Sequence, residues 1–190
     1  MINGLRLQQQ KIYMMDKNKE VIDYSINQAV NTLGKAIPDP NQGLPDPIFY
    51  FISRTTPLIN VDLLVKDANQ RVLLSWRDDD HSGKGWHVPG GIIRYKERIK
   101  DRIDEVAINE IGSIVDSNPS PITVCEFIAD QKKNRAHFIS LLYACTVGRE
   151  YQINNHDRKI NQPGYLMWHE NCPDDLLPWH EVYRKHIEPN

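Results

Sequence analysis

Four prolines stand between Pro38 and Pro47 in the stretch IPDPNQGLPDPIF, and no other feature limits the chain's fold as much. Each proline fixes φ and removes a backbone donor, so the stretch cannot be helix interior or a central strand. It reads as a linker between an N-terminal arm, residues 1–47, and a main domain, residues 48–190. In the arm, Val21, Ile22, Ile26, Ala29, Val30 and Leu33 recur at helical spacing and Gly34 suits a stop, which predicts a helix over about 17–34. Such a helix has too little surface to fold alone. It is expected to pack on its own domain or on a partner subunit, and a homodimer with exchanged arms is the expected assembly.

Composition narrows the function. A length of 190 residues suits one medium domain with an appendage. Lysines and arginines number 23 against 25 acids, a formal charge of −2, so the clustered basic surface that nucleic acid requires is missing. The odd set Cys125, Cys145 and Cys172, without a C-x-x-C pair, argues against a disulfide framework or structural zinc and for a reducing compartment. The first twenty residues contain no apolar core of signal-peptide length, and nowhere do 18 apolar residues run together. No membrane contact is expected, and the expected location is the cytoplasm.

In the main domain, strand signals alternate with two helices. Ile59, Val61, Leu63 and Val65 share one face of LINVDLLVK, with Asp62 on the other. RVLLSWR reads as a second strand ending at Arg77, and WHVPGG as a short one stopped by proline and two glycines. A helix over about 97–111 offers Ile99, Ile103, Val106, Ala107 and Ile111 for burial. PITVCEFIAD and HFISLLYACTV follow as strands, the latter apolar on both faces and so central in its sheet. GYLMWH is a last strand, and a closing helix is expected over about 174–186. This order predicts an α+β fold with a mixed sheet between helices.

The segment GWHVPGGIIRYKERIKDRIDEVAINEIGS, residues 85–113, carries the chemistry. It resembles the Nudix box, G-x5-E-x7-R-E-U-x-E-E-x-G-U with U apolar. Gly91 and Glu97 match at the required spacing, Ala107 fits the apolar slot and Gly112 matches. The Arg-Glu pair is replaced by Glu105 and Val106, the Glu-Glu pair by Asn109 and Glu110, and the last slot by Ser113. In the full motif, carboxylates at i, i+3 and i+4 share a helical face and gather Mg2+. Here only Glu110 of the three remains.

The reduced box resembles that of the GDP-mannose mannosyl hydrolase branch, as do FISRTTPLINVDLLVKD, LLSWRDDD, GWHVPGG and RAHFISLLY, in the same order, across roughly residues 50–187. The resemblance implies a nucleotide-sugar substrate, with water attacking the anomeric carbon and nucleoside diphosphate leaving. It implies one Mg2+, with Mn2+ as an alternative, on Glu110 and the carbonyl of Gly90, and His137 as general base. Arg77 would stabilise the diphosphate, and Asp62 would contact the sugar or balance charge at the reacting carbon. The branch's arginine after the paired glycines is Ile92 here, and Arg94 stands in for it; its second metal position is Ala136. An ordinary Nudix diphosphatase giving a nucleoside monophosphate, and a ligand-binding module without turnover, are the alternatives.

Overall fold

The structure, a computed structural model, describes residues 2–188, with side chains from residue 14 onward except those of residues 16 and 18. It divides into two compact units, Met1–Ile48 and Phe49–Asn190. In the first, helix α1 runs Ile2–Ala36, well beyond the span predicted from apolar periodicity. Its early part is rich in leucine, glutamine, lysine and methionine, all good helix formers that leave little apolar rhythm. Gly34 does not stop it. The helix ends before Ile37, whose neighbour Pro38 disfavours the helical region. A short 3-10 turn, Pro40–Gln42, follows, capped by Asp39, whose carboxylate accepts from the Asn41 amide at 2.9 Å.

The proline stretch is not linker to its end. Helix α2, Asp46–Ile52, starts inside it with Pro47 in the first turn, where a missing N–H leaves no helical bond unmade. Among the described residues the sheet has eight strands: β1 Leu58–Lys66, β2 Val72–Asp79, β3 Gly83–His87, β4 Gly90–Ile92, β5 Asp116–Ser117, β6 Thr123–Ile128, β7 His137–Thr146 and β8 Leu166–His169. The path β3-β2-β1-β7-β5 forms its spine, with β4 on β1, β6 on β7 and β8 on β2. Among the eight described strands only β1 and β7 pair in parallel, from Leu58 opposite Phe138 to Lys66 opposite Thr146, so the sheet is mixed and β7 is internal. The two-residue pairings of β5 and the glycine strand β4 were not expected from the sequence.

Alternation along β1 sorts the core into two layers. Val61, Leu63 and Val65 pack with Ile103, Val106, Ala107 and Ile111 on one face. Leu64 packs with Leu74, Trp76, Trp86, Leu142, Tyr183 and Ile187 on the other. The expected helix over 97–111 is α3, Ile99–Val106, continued by a π-helical turn, Ala107–Ile111, and ended by Gly112 at φ 75°. The closing helix is shorter than expected: a 3-10 stretch, Pro178–Tyr183, precedes α4, Arg184–Ile187. Pro178 delays the start because the residue before a proline resists helix. Among the described residues, no helix is long and apolar enough to cross a membrane.

Glu97 fixes the entry to α3. Its carboxylate accepts from Arg102 at 2.7 and 2.9 Å and from the Arg94 amide at 2.8 Å, with both side chains of the ion pair largely buried. Burial pushes the Glu97 carboxyl up, but the donors from Arg102 and Arg94 outweigh it and hold it below the usual range. A depressed carboxylate stabilises the fold above the unfolded value, and that stability is lost as pH falls through the folded value. Glu97→Gln should therefore cost about 3 kcal/mol at neutral pH. Thermal melts of both proteins should converge as the pH drops below 4.5, where unfolded glutamate already binds its proton. A gap that stays constant to pH 3 would contradict this account.

Candidate active site

A cavity of about 640 Å3 opens against the Asp62 face of the sheet, a size suited to a small-molecule ligand. At its base is a buried polar cluster. Asp62 accepts from Tyr183 Oη at 2.6 Å, from Asn60 Nδ2 at 2.9 Å and from Ser140 Oγ. Burial pushes the Asp62 carboxyl above its ordinary value, against the opposing pull of these three donors. Gly90 lies directly over this carboxyl. A Cβ there would fall 2.0 Å from Asp62 Oδ1 and 2.8 Å from the Val61 carbonyl, so no side chain fits.

One wall is cationic. Arg77 comes from β2, and Lys132, Lys133 and Arg135 come from the turn joining β6 to β7. Arg135 adopts φ 52°, the left-handed region that a non-glycine residue enters only at a cost of about 1 kcal/mol or more. Its amide donates to Ser53 Oγ at 3.1 Å, which ties the turn to the end of α2. Lys132 sits over the Trp179 ring, 3.9 Å from its centre, and donates to the His81 carbonyl. Burial, then the nearby Arg135, pull the Lys132 amine down. Tyr50, Phe127, Phe138 and Trp179 supply aromatic surface.

Two histidines face the same space. The Val88 amide donates to His180 Nδ1 at 3.1 Å, so the ring proton sits on Nε2. Burial, then His87 and Arg77, hold His180 well below the usual histidine range, and the ring is neutral. His87 is 4 % exposed, and neither of its ring nitrogens has a hydrogen-bond partner. It reaches a second pocket of about 280 Å3, where its Nε2 lies 3.6 Å from Glu110 Oε2.

The residues singled out from the sequence are thus divided. Asp62, Arg77 and Gly90 line the large cavity, and Arg77 also lines the small one. Glu110 lines only the small pocket, so it shares no pocket lining with Gly90; His87 lines both. His137 lines neither. Phe138 and Ser140 turn to the Asp62 face, so alternation sends His137 to the opposite face, where Nε2 lies 3.0 Å from Glu126 Oε1. His137 is engaged by Glu126 and shares no pocket lining with Glu110. Arg94 is exposed beyond β4 and lines neither pocket; its amide serves Glu97. Lys132, Arg135, His180 and Tyr183 were missed by sequence reasoning. Only the KKNR run ahead of β7 could have signalled the first two.

The expected ion has a carboxylate to meet it. Among the described residues, no three histidine, cysteine or acidic side chains are gathered for a metal. Glu110 with the unpartnered His87 beside it fits an ion whose remaining ligands are water and substrate oxygens.

No family model matches the chain. Its fold is that of Nudix hydrolases. It is similar to a MutT protein from Methanosarcina mazei Go1, with TM-score 0.53, 15 % identity and coverage of 70 % of this chain and 94 % of that one. It is also similar to a MutT Nudix hydrolase from Burkholderia pseudomallei, with TM-score 0.54, 15 % identity and coverage of 70 % and 98 %. Among curated proteins, the low-salt glycan biosynthesis protein Agl8 of Haloferax volcanii is 33 % identical over 73 residues, 38 % of this chain and 46 % of that protein. The chain thus spans about half the length of the curated relative it matches.

Proposed function

We propose that this chain is a divalent-metal-dependent hydrolase of a nucleotide sugar of the GDP-mannose kind, cleaving at the anomeric carbon to release nucleoside diphosphate and free sugar. The observation that carries the reading is the cavity itself, which sets four cationic side chains and an aromatic wall around a single buried carboxyl, Asp62. The cations suit a diphosphate, the rings suit a base or sugar face, and the carboxyl suits a reacting centre that becomes positive. The loss of all but one acidic ligand from the box, leaving Glu110, supports attack away from phosphorus. The partial likeness to a protein named for glycan biosynthesis supports a sugar-bearing substrate.

Asp62 is the base in this scheme, in place of His137. Its carboxylate takes a proton from water as the water oxygen bonds to the anomeric carbon. The bond from that carbon to the phosphate oxygen breaks, and its electron pair leaves with the diphosphate. Burial raises the proton affinity of Asp62 and so improves it as a base. Arg77, Lys132 and Arg135 stabilise the departing charge. His180, whose Nδ1 is engaged by Val88, can only donate through Nε2 and so orients a substrate oxygen. A divalent ion, when bound, adds Lewis-acid stabilisation of the leaving group, and Glu110 is the side chain that would hold it.

Hydrolysis of GDP-mannose in 18O-water tests the bond cleaved. Mass spectrometry should find the label in mannose and none in the nucleotide. Label in a nucleoside monophosphate or sugar phosphate would instead mean attack at phosphorus and overturn the proposal.

A further inference from the structure

We infer that His87 and Glu110 together form a divalent-cation site that prefers a transition ion, such as Mn2+, Co2+ or Zn2+, to Mg2+. Nε2 of His87 and Oε2 of Glu110 are 3.6 Å apart, too far for a hydrogen bond. An ion ligated by both, with bonds of about 2.1 Å, would subtend an angle of about 120° between them, close to what a four- or five-coordinate ion accepts. The imidazole is almost wholly buried, and both of its nitrogens lack partners, although buried polar atoms are satisfied in the great majority of cases. A bound cation would satisfy the nitrogen that faces Glu110. The pocket between them is open enough to admit an ion and its waters.

The ligand set decides the metal. Mg2+ favours oxygen and holds its waters, whereas an imidazole nitrogen favours the later first-row ions. His87 stands one residue after the buried Trp86 on β3, where alternation turns it away from the tryptophan and towards Glu110. Glu110 reaches it from the π-helical turn. Arg77 and Arg158 line the same pocket, so an incoming dication is favoured when an anion accompanies it. This inference refines the metal of the proposed hydrolase but is read by binding alone. Its failure would leave the 18O result intact, and the reverse also holds.

The test titrates Co2+ into the metal-free full-length chain at pH 7.5, with inorganic pyrophosphate present, and follows the visible d–d absorption. One saturable site is expected. His87→Gln and Glu110→Gln should each weaken it at least tenfold, and Mg2+ should displace Co2+ only at about 100-fold excess. No saturable site, a His87→Gln protein that binds like the parent, or Mg2+ competing at parity would each overturn the inference. Because a buried substitution can disturb folding, the parent chain gives a second reading. Zn2+ added to 15N-histidine-labelled protein should move the ring resonances of His87, and a His87 spectrum that stays still would refute the site.

Discussion

Asp62→Asn is expected to lower nucleotide-sugar turnover by a factor on the order of 10² to 10⁴, the range supplied by a positioned general base. The same change should not weaken the fold. A carboxyl whose folded value is raised loses stability for the protein as pH climbs from the unfolded value, 3.8, through the folded one. Asparagine has no such penalty. Ser140 and Tyr183 present hydroxyls that can turn to accept as well as donate, so the amide finds partners in the same cluster. At pH 7 the variant should therefore melt at or above the parent temperature. Steady-state rates and thermal melts taken together check the claim. Activity retained within tenfold would remove Asp62 from the chemistry, and a large fall in melting temperature would recast it as a structural residue.

Gly90→Ala is expected to damage both stability and activity. The added methyl group would meet the Asp62 carboxylate at 2.0 Å and the Val61 backbone at 2.8 Å, and the backbone cannot step aside as a flexible side chain would. Overpacking of this kind costs about 3 kcal/mol, which in a chain of this size lowers the melting temperature by roughly 10 °C. Because β4 is paired to β1 at this point, the displaced carboxyl is the proposed base itself. Gly34→Ala in α1 is the control. A Cβ there meets nothing within 4 Å, and replacing a helical glycine stabilises by about 0.5 to 1 kcal/mol. Circular dichroism melts of the two variants should move in opposite directions. A Gly90→Ala protein as stable as the parent would mean that the carboxyl can swing clear.

Much of this architecture was legible in the sequence, and the failures have physical causes. The alternation in β1 gave the correct two faces because only one of them is wholly apolar, with Asp62 marking the other. In β7 both faces are apolar over most of its length, so nothing in the residue pattern said which face His137 joins. Parity turns it to the face away from the Asp62 cavity. The helix expected over 97–111 closes in a π-helical turn, Ala107–Ile111, whose wider spacing the apolar periodicity does not reveal. His87 was not among the residues singled out from the sequence. Its lack of hydrogen-bond partners is a property of the assembled interior, which no local pattern records. Helix α2 was missed because prolines were read as excluding helix, although a first-turn proline is tolerated.

The parallel pairing of β1 with β7 bears on how the protein comes to exist at all. Ser140 lies 78 residues beyond its partner Asp62, and Tyr183 lies 121 beyond. Strands that run the same way cannot be joined by a tight turn, so this register forms only after a long intervening stretch has been gathered in. Contacts so distant along the chain slow folding, because the entropy of closing the loop is lost before the contact repays it. During synthesis a ribosome-bound chain that stops short of residue 183 has every member of the cationic turn but no closed polar cluster. The Leu64 face of its sheet stays uncovered until Tyr183 and Ile187 arrive.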